Sequence, residues 1–202
     1  PVYAFLRRSG RDRENAAETT QAFFVDIVLH RDLFSKADQG RGRFRSLLLK
    51  SLQNYTIDRS RKHRHRSVSL DDVLLDRISM DAAEPDPGLD PDTAFNRQWA
   101  SSILQMAIER VREDCQKRSM QNHWTAFELR VLRPAIGLTK PPAIEQIKDI
   151  VSAKDTQQVS HMIQSVKRKM ESAVREIVAS TLENQSELEQ ETSSVLWHTR
   201  LG

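Results

Sequence analysis

The sequence predicts an all-α protein, two small helical domains joined by an acidic linker. Three observations carry that expectation. Apolar residues recur at three- and four-residue spacing through both halves of the 202-residue chain, the period of helices that bury one face. Only 6 glycines and 7 prolines punctuate it and aromatics make up 6%, too few turn and strand formers for a sheet protein of this length. Charge is segregated. Residues 41–66 hold nine cations (Arg41, Arg43, Arg45, Lys50, Arg59, Arg61, Lys62, Arg64 and Arg66) against one acid, Asp58, whereas residues 71–92 hold eight acids against Arg77. With a net charge of only +3, the distribution and not the total points to a partner.

Taken in order, residues 2–8 are apolar then basic and stop at Ser9-Gly10. A second helix opens at Asn15 or Glu14 and runs through Phe23, Phe24, Ile27 and Val28 to about Arg31. Residues 35–42 are a polar loop. From about Arg43 to Arg64 the spacing of Phe44, Leu47, Leu48, Leu52 and Tyr55 gives a helix apolar on one side, while its cations cover the other. Such a helix is built to lie along a polyanion, and nucleic acid is the first candidate. The first domain therefore spans residues 1–66. Residues 67–93 form the linker, because Pro85-Asp86-Pro87-Gly88 and Asp90-Pro91 interrupt helix, with room for one short helix in 70–78.

The second domain spans residues 94–182. Leu104, Ala107, Ile108, Val111 and Cys115 share a stripe, as do Ala126, Leu129 and Leu132, until Pro134, Gly137 and Pro141-Pro142 break the chain. Residues 143–151 are a short helix with Ile144, Ile147, Ile150 and Val151 inward. After the turn 152–155, a long helix begins near Thr156, capped by Asp155 or Thr156, with Val159, Met162, Ile163, Val166, Met170, Ala173, Val174 and Ile177 as its buried stripe. Short helix, tight turn and longer helix make a helix-turn-helix pattern. Opposite the stripe, Gln157, His161, Gln164 and Arg168 share one exposed face. Gln pairs bidentately with adenine and Arg with guanine in the major groove, and Lys167 and Lys169 flank them as phosphate binders. An ordinary solvated face is the alternative for this row. Residues 183–202 are an acidic tail.

Other function classes find little support. There is no Walker-type glycine-rich loop and no Ser/His/Asp or Cys/His constellation, so no enzymatic activity and no cofactor is expected. His63-x-His65 lacks a second ligand pair and Asp71-Asp72 cannot converge on one ion from consecutive helical positions, so no metal is expected either. Trp99, Trp124 and Trp197 read as packing residues. Cys115 is the only cysteine, which excludes an internal disulfide and suits a reducing, cytoplasmic location. No apolar run approaches the ~20 residues of a membrane span, so membrane insertion is not expected. The first residue is Pro1, and residues 2–5 read as the middle of a helix, the mark of a trimmed N-terminus.

The two halves together resemble the sigma-70 family of RNA polymerase sigma factors, in its small two-domain extracytoplasmic-function (ECF) group. Val2-Tyr3-Ala4-Phe5-Leu6 is similar to the early helix of region 2. The run from Ala17 through Glu18, Thr19, Thr20, Gln21 and Ala22 to Phe23-Phe24 is similar to the family's A-x-D-L-T-Q-E-x-F helix. Phe44-Arg45-Ser46-Leu47-Leu48 and the spacing of Asn54, Asp58 and Arg61 are similar to its F-R-x-W/F-L and N-x-x-x-D-x-x-R signatures. Phe95-Asn96-Arg97-Gln98-Trp99 through the helix-turn-helix resembles region 4. Glu18, Thr19 and Ala22 stand where the family usually has Asp, Leu and Glu, and Ala153 where many such turns have Gly.

The resemblance implies a subunit that binds core RNA polymerase, directs it to promoter DNA and helps open the duplex, with an anti-sigma factor as an optional partner. Polymerase docking would fall on Glu18, Thr20 and Gln21. The −10 element would be held by Lys36, Arg41, Arg43, Arg45, Asn54, Asp58, Arg59, Arg61 and Lys62, with the loop around Gly40 and Gly42 able to receive an unstacked base. The −35 element would be read by Gln157, His161, Gln164 and Arg168, with Lys167 and Lys169 on phosphates. Two other readings compete. One is an autonomous helix-turn-helix regulator, which would need to dimerise on paired half-sites. The other is a degenerate sigma homologue acting as an interaction protein, motivated by the altered 18–22 segment.

Overall fold

The computed structural model describes residues 1–29, 44–66, 90–135, 137, 140–182 and 188–199. Every described element is helical and none is a strand, consistent with the all-α class expected from the sequence. The described residues divide into two compact units, the first built on residues up to Trp99 and the second on Ala100–Ser180 together with the last helix. The expected linker and its short helix fall almost wholly outside the described residues, as does the 35–42 loop.

In the first unit, α1 (Val2–Arg8) buries Val2, Phe5 and Leu6, three residues at helical spacing. It stops where the sequence says, at Ser9-Gly10. Gly10 adopts φ +86°, its N–H donates to the Arg7 carbonyl and that of Arg11 to the Leu6 carbonyl, which closes the helix end. Next, α2 (Arg13–Phe23) opens two residues before Asn15 and one before Glu14, because the Asp12 carboxylate accepts the Asn15 backbone N–H at 2.7 Å and its side-chain amide at 2.8 Å. A π-helical turn, Phe24–Leu29, continues it. Phe23 and Ile27, four apart, are buried, while Phe24 is 43% exposed. Then α3 (Phe44–Arg66) buries Leu48 and Leu52 and lays Phe44, Leu47 and Tyr55 against the edge of the same core.

Helix α4 (Pro91–Lys117) starts inside the stretch assigned to the linker. The Asp90-Pro91 pair is a helix start and not a break. Asp90 accepts the backbone N–H groups of Asp92 and Thr93 at 3.0 and 3.1 Å and the Thr93 hydroxyl, and Pro91 occupies the first helical position, where a missing N–H costs nothing. The first turns of α4 belong to the first unit. Phe95 is fully buried in its core with Trp99 packed against it, so these residues, assigned from the sequence to the second domain, pack with the first.

In the second unit, α4 buries Ile103, Ala107, Val111 and Cys115, whereas the expected Leu104 and Ile108 are half-buried. There follow α5 (Gln121–Phe127), a π-helical turn (Glu128–Leu132), the single turn α6 (Arg133–Ala135), α7 (Ile144–Ile150), α8 (Thr156–Ala179) and α9 (Leu188–Thr199). The core joins Ala126, Ile147, Val151, Val159, Met162 and Ile163, with Leu129, Val131, Ile144 and Ala153 packed on it. Ile150 is 60% exposed, a correction to its expected inward place. Only Ile147 and Val151, four apart, share the line that faces α8 as α7 ends. At the far end of α8 the stripe closes on Val178, with Ile177 half-buried. Part of the acidic tail is the ordered helix α9, which packs on α8.

Candidate nucleic-acid interface

The helix-turn-helix is held by contacts at each joint. The Arg130 guanidinium donates to the Pro142 carbonyl at 2.8 Å, fixing the chain that enters α7. The Asn122 amide of α5 donates to the Val151 carbonyl at 3.0 Å, anchoring the end of α7. In the turn it is Ser152, not Ala153, that takes the left-handed conformation, with φ +52°. The N–H of Ala153 then returns to the Lys148 carbonyl at 3.0 Å. Asp155 caps α8 by accepting the Gln158 N–H at 2.7 Å, and the Gln158 side chain accepts the Lys154 N–H at 2.7 Å.

With its start fixed and its apolar stripe buried, α8 leaves Gln157, His161, Gln164 and Arg168 exposed. At 100° per residue these four fall within an arc of about 60° and along about 16 Å of helix, the dimensions of a row that can follow a major groove. Lys167 is half-buried at the edge of the row. Lys169 differs from expectation. Its ammonium lies 2.7 Å from the Asp114 carboxylate of α4, which also accepts Arg118 at 2.7 Å. Those two cations hold the Asp114 carboxyl below its ordinary range, and Lys169 is drawn off the exposed row.

In the first unit, Asn54, Asp58 and Arg61 are exposed on α3, and Arg45 is half-buried. Lys36, Arg41 and Arg43 lie outside the described residues, as does the side chain of Lys62. Arg59 is half-buried and its guanidinium donates to Glu18 of α2 at 3.0 Å. The sequence reading had given these two residues to different surfaces, one for polymerase and one for DNA. Tyr55, beside Arg59, donates to Asp26 at 3.0 Å, and partial burial raises its phenol above the ordinary range. On α2, Gln21 is exposed, while the Thr20 hydroxyl is turned back to the Ala16 carbonyl at 2.7 Å. Thr19 is fully buried, and the Arg11 guanidinium donates to its hydroxyl at 3.5 Å.

Cys115 is buried, which pushes its thiol up from the ordinary range and suits packing. Trp124 is buried and Trp99 half-buried, as packing residues would be; the side chain of Trp197 lies outside the described residues. Two contributors escaped the sequence reading. Asn122 anchors the helix-turn-helix from a separate helix, which no local spacing reveals. Arg175 lies on the line of the α8 row eighteen residues after Gln157, and that spacing was present in the sequence. Among the described residues no helix is long and apolar enough to cross a membrane. No protein-family model, curated protein or solved structure matches the chain.

Proposed function

We propose that the chain is a sigma-type specificity subunit, which binds core RNA polymerase, carries it to promoter DNA and stabilises the opened duplex, acting in the cytoplasm. The observation that carries the reading is the exposed row Gln157, His161, Gln164 and Arg168 on the capped second helix of a helix-turn-helix. The amide side chains offer paired donor and acceptor to adenine, and Arg168 offers a bidentate fork to guanine. Lys167 supplies the backbone contact that positions them.

The second support is α3, with a buried apolar side and Asn54, Asp58 and Arg61 exposed. Polar and cationic side chains along one helix suit a separated strand, whose phosphates and unstacked bases must be held to keep it from reannealing. Holding the open state shifts an equilibrium and needs no catalytic group on this chain. Two reading modules in one chain raise affinity through effective concentration. Glu18, Thr20 and Gln21 are assigned to the polymerase on the resemblance alone.

The test is direct. Mixed with core RNA polymerase, the full chain should co-elute on gel filtration and start run-off transcripts from a subset of genomic fragments that core enzyme ignores. A chain that neither co-elutes nor redirects the polymerase is not a sigma factor. A tight footprint from the dimeric chain alone would then favour an autonomous regulator.

A further inference from the structure

Arg175 follows Gln157 by eighteen residues, about five turns of helix, and so falls on the line of Gln157, Gln164 and Arg168. In a helix that reads DNA with its first half, a cation at this distance meets the backbone and not the bases. Its guanidinium is engaged. The two terminal nitrogens reach the two carboxylate oxygens of Glu189 on α9 at 2.5 and 3.4 Å. Glu171 stands on the same side of α8, four residues before Arg175, yet the guanidinium turns away from its own helix to α9. Glu189 lies in the first turn of α9, where the helix dipole favours an acid.

The seat of α9 has its own signature. Among its described side chains Glu191, Thr192 and Val195 are buried, and the Thr192 hydroxyl has no hydrogen-bond partner among the described residues. A buried hydroxyl without a partner costs stability where it sits, so it weakens the seat of α9. The arrangement is an acidic helix with a carboxylate in a guanidinium fork that accepts phosphate equally well.

We propose that α9 is an intramolecular competitor for nucleic acid. Glu189 occupies Arg175 in place of a backbone phosphate, and duplex DNA displaces it when α8 engages. This rests on α8 being the DNA-reading helix. Because Arg175 must leave Glu189 before it takes a phosphate, the contact adds little net affinity until the carboxylate is removed.

The experiment uses the full chain and a short labelled DNA duplex of mixed sequence, with affinity read by fluorescence anisotropy between about 50 and 200 mM salt. Glu189→Gln should bind roughly threefold tighter or more, with the slope of log K against log salt steeper by about one. In an Arg175→Ala background the same change should do nothing, which separates relief of this pair from general loss of negative charge. Added duplex should also speed hydrogen exchange in α9 of the wild-type chain while the buried half of α8 stays protected. If wild type binds but Glu189→Gln matches it in affinity and slope, or gains as much without Arg175, the competitor is overturned and the DNA-reading helix stands. If neither wild type nor any variant binds the duplex at low salt, the DNA-reading assignment falls and the competitor with it.

Discussion

Asp12 holds the first turn of α2 through two hydrogen bonds from Asn15, and those bonds keep its carboxyl below the ordinary range of 3.8. A carboxyl whose folded value lies below its unfolded value stabilises the fold above the unfolded value and stops doing so as pH falls through the folded one. Asp12→Ala should therefore cost about 1 kcal/mol at neutral pH, as lost caps do. Asp12→Asn should keep the cap, stay near wild type at pH 7, and lose less stability than wild type as the pH is lowered below about 4. Urea midpoints measured for the three chains across that range check the sign. Thr19 argues a second case. Sigma factors usually have Leu at the position Thr19 resembles, so under the proposed function Leu there looks at first like an improvement of polymerase docking. But the side chain is fully buried within the first unit. Thr19→Leu should overpack that core and lower stability by about 1–3 kcal/mol in denaturant titration, while leaving co-elution with polymerase unchanged. Should it instead raise polymerase binding, residue 19 acts on the docking surface after all.

Elements were legible wherever one line of apolar residues met a terminator of known geometry. Ser9-Gly10 ends α1, Asp155 opens α8, and the stripe from Val159 to Val174 is buried throughout. The misplacements have separate causes. Adjacent Phe23 and Phe24 lie about 100° apart on the helix, so one takes the core and the other does not, which apolar spacing alone does not decide. Asp-Pro reads as a breaker, yet with the acid at the cap and proline at the first helical position it opens α4. A helix of seven residues has barely two turns to define a face, so Ile150 was assigned inward and lies outward. The turn of the helix-turn-helix makes the same point with an energy attached. Ser152 holds φ +52°, which costs a side-chain-bearing residue about 1–2 kcal/mol and glycine almost nothing. Part of that gain is cancelled by glycine's freer unfolded chain. Ser152→Gly should raise stability by roughly 0.5–1 kcal/mol without altering DNA binding, as a paired thermal melt and anisotropy titration would report.

At the scale of the whole chain, the two candidate surfaces sit in separate compact units. The rows themselves were readable, because exposure follows from helical phase once the buried stripe is known. What phase does not reveal is which charges are already engaged, since partners come from other helices. Arg59 is held by Glu18, Lys169 by Asp114 and Arg175 by Glu189, each across a gap of sequence that spacing does not cross. Arg61 and Arg168 are exposed cations on their own helices, and they separate the two roles. Arg61 on α3 would meet phosphates, so Arg61→Ala should weaken binding to every sequence alike and flatten the salt slope by about one. Arg168 would meet a base edge, so Arg168→Ala or Gln164→Ala should cost about 1–3 kcal/mol on selected promoter fragments and almost nothing on mixed-sequence DNA. Run-off transcription from a fragment library should then show fewer start sites for the first variant and different ones for the second pair. Identical profiles for Arg61→Ala and Arg168→Ala would mean that base reading does not reside on α8.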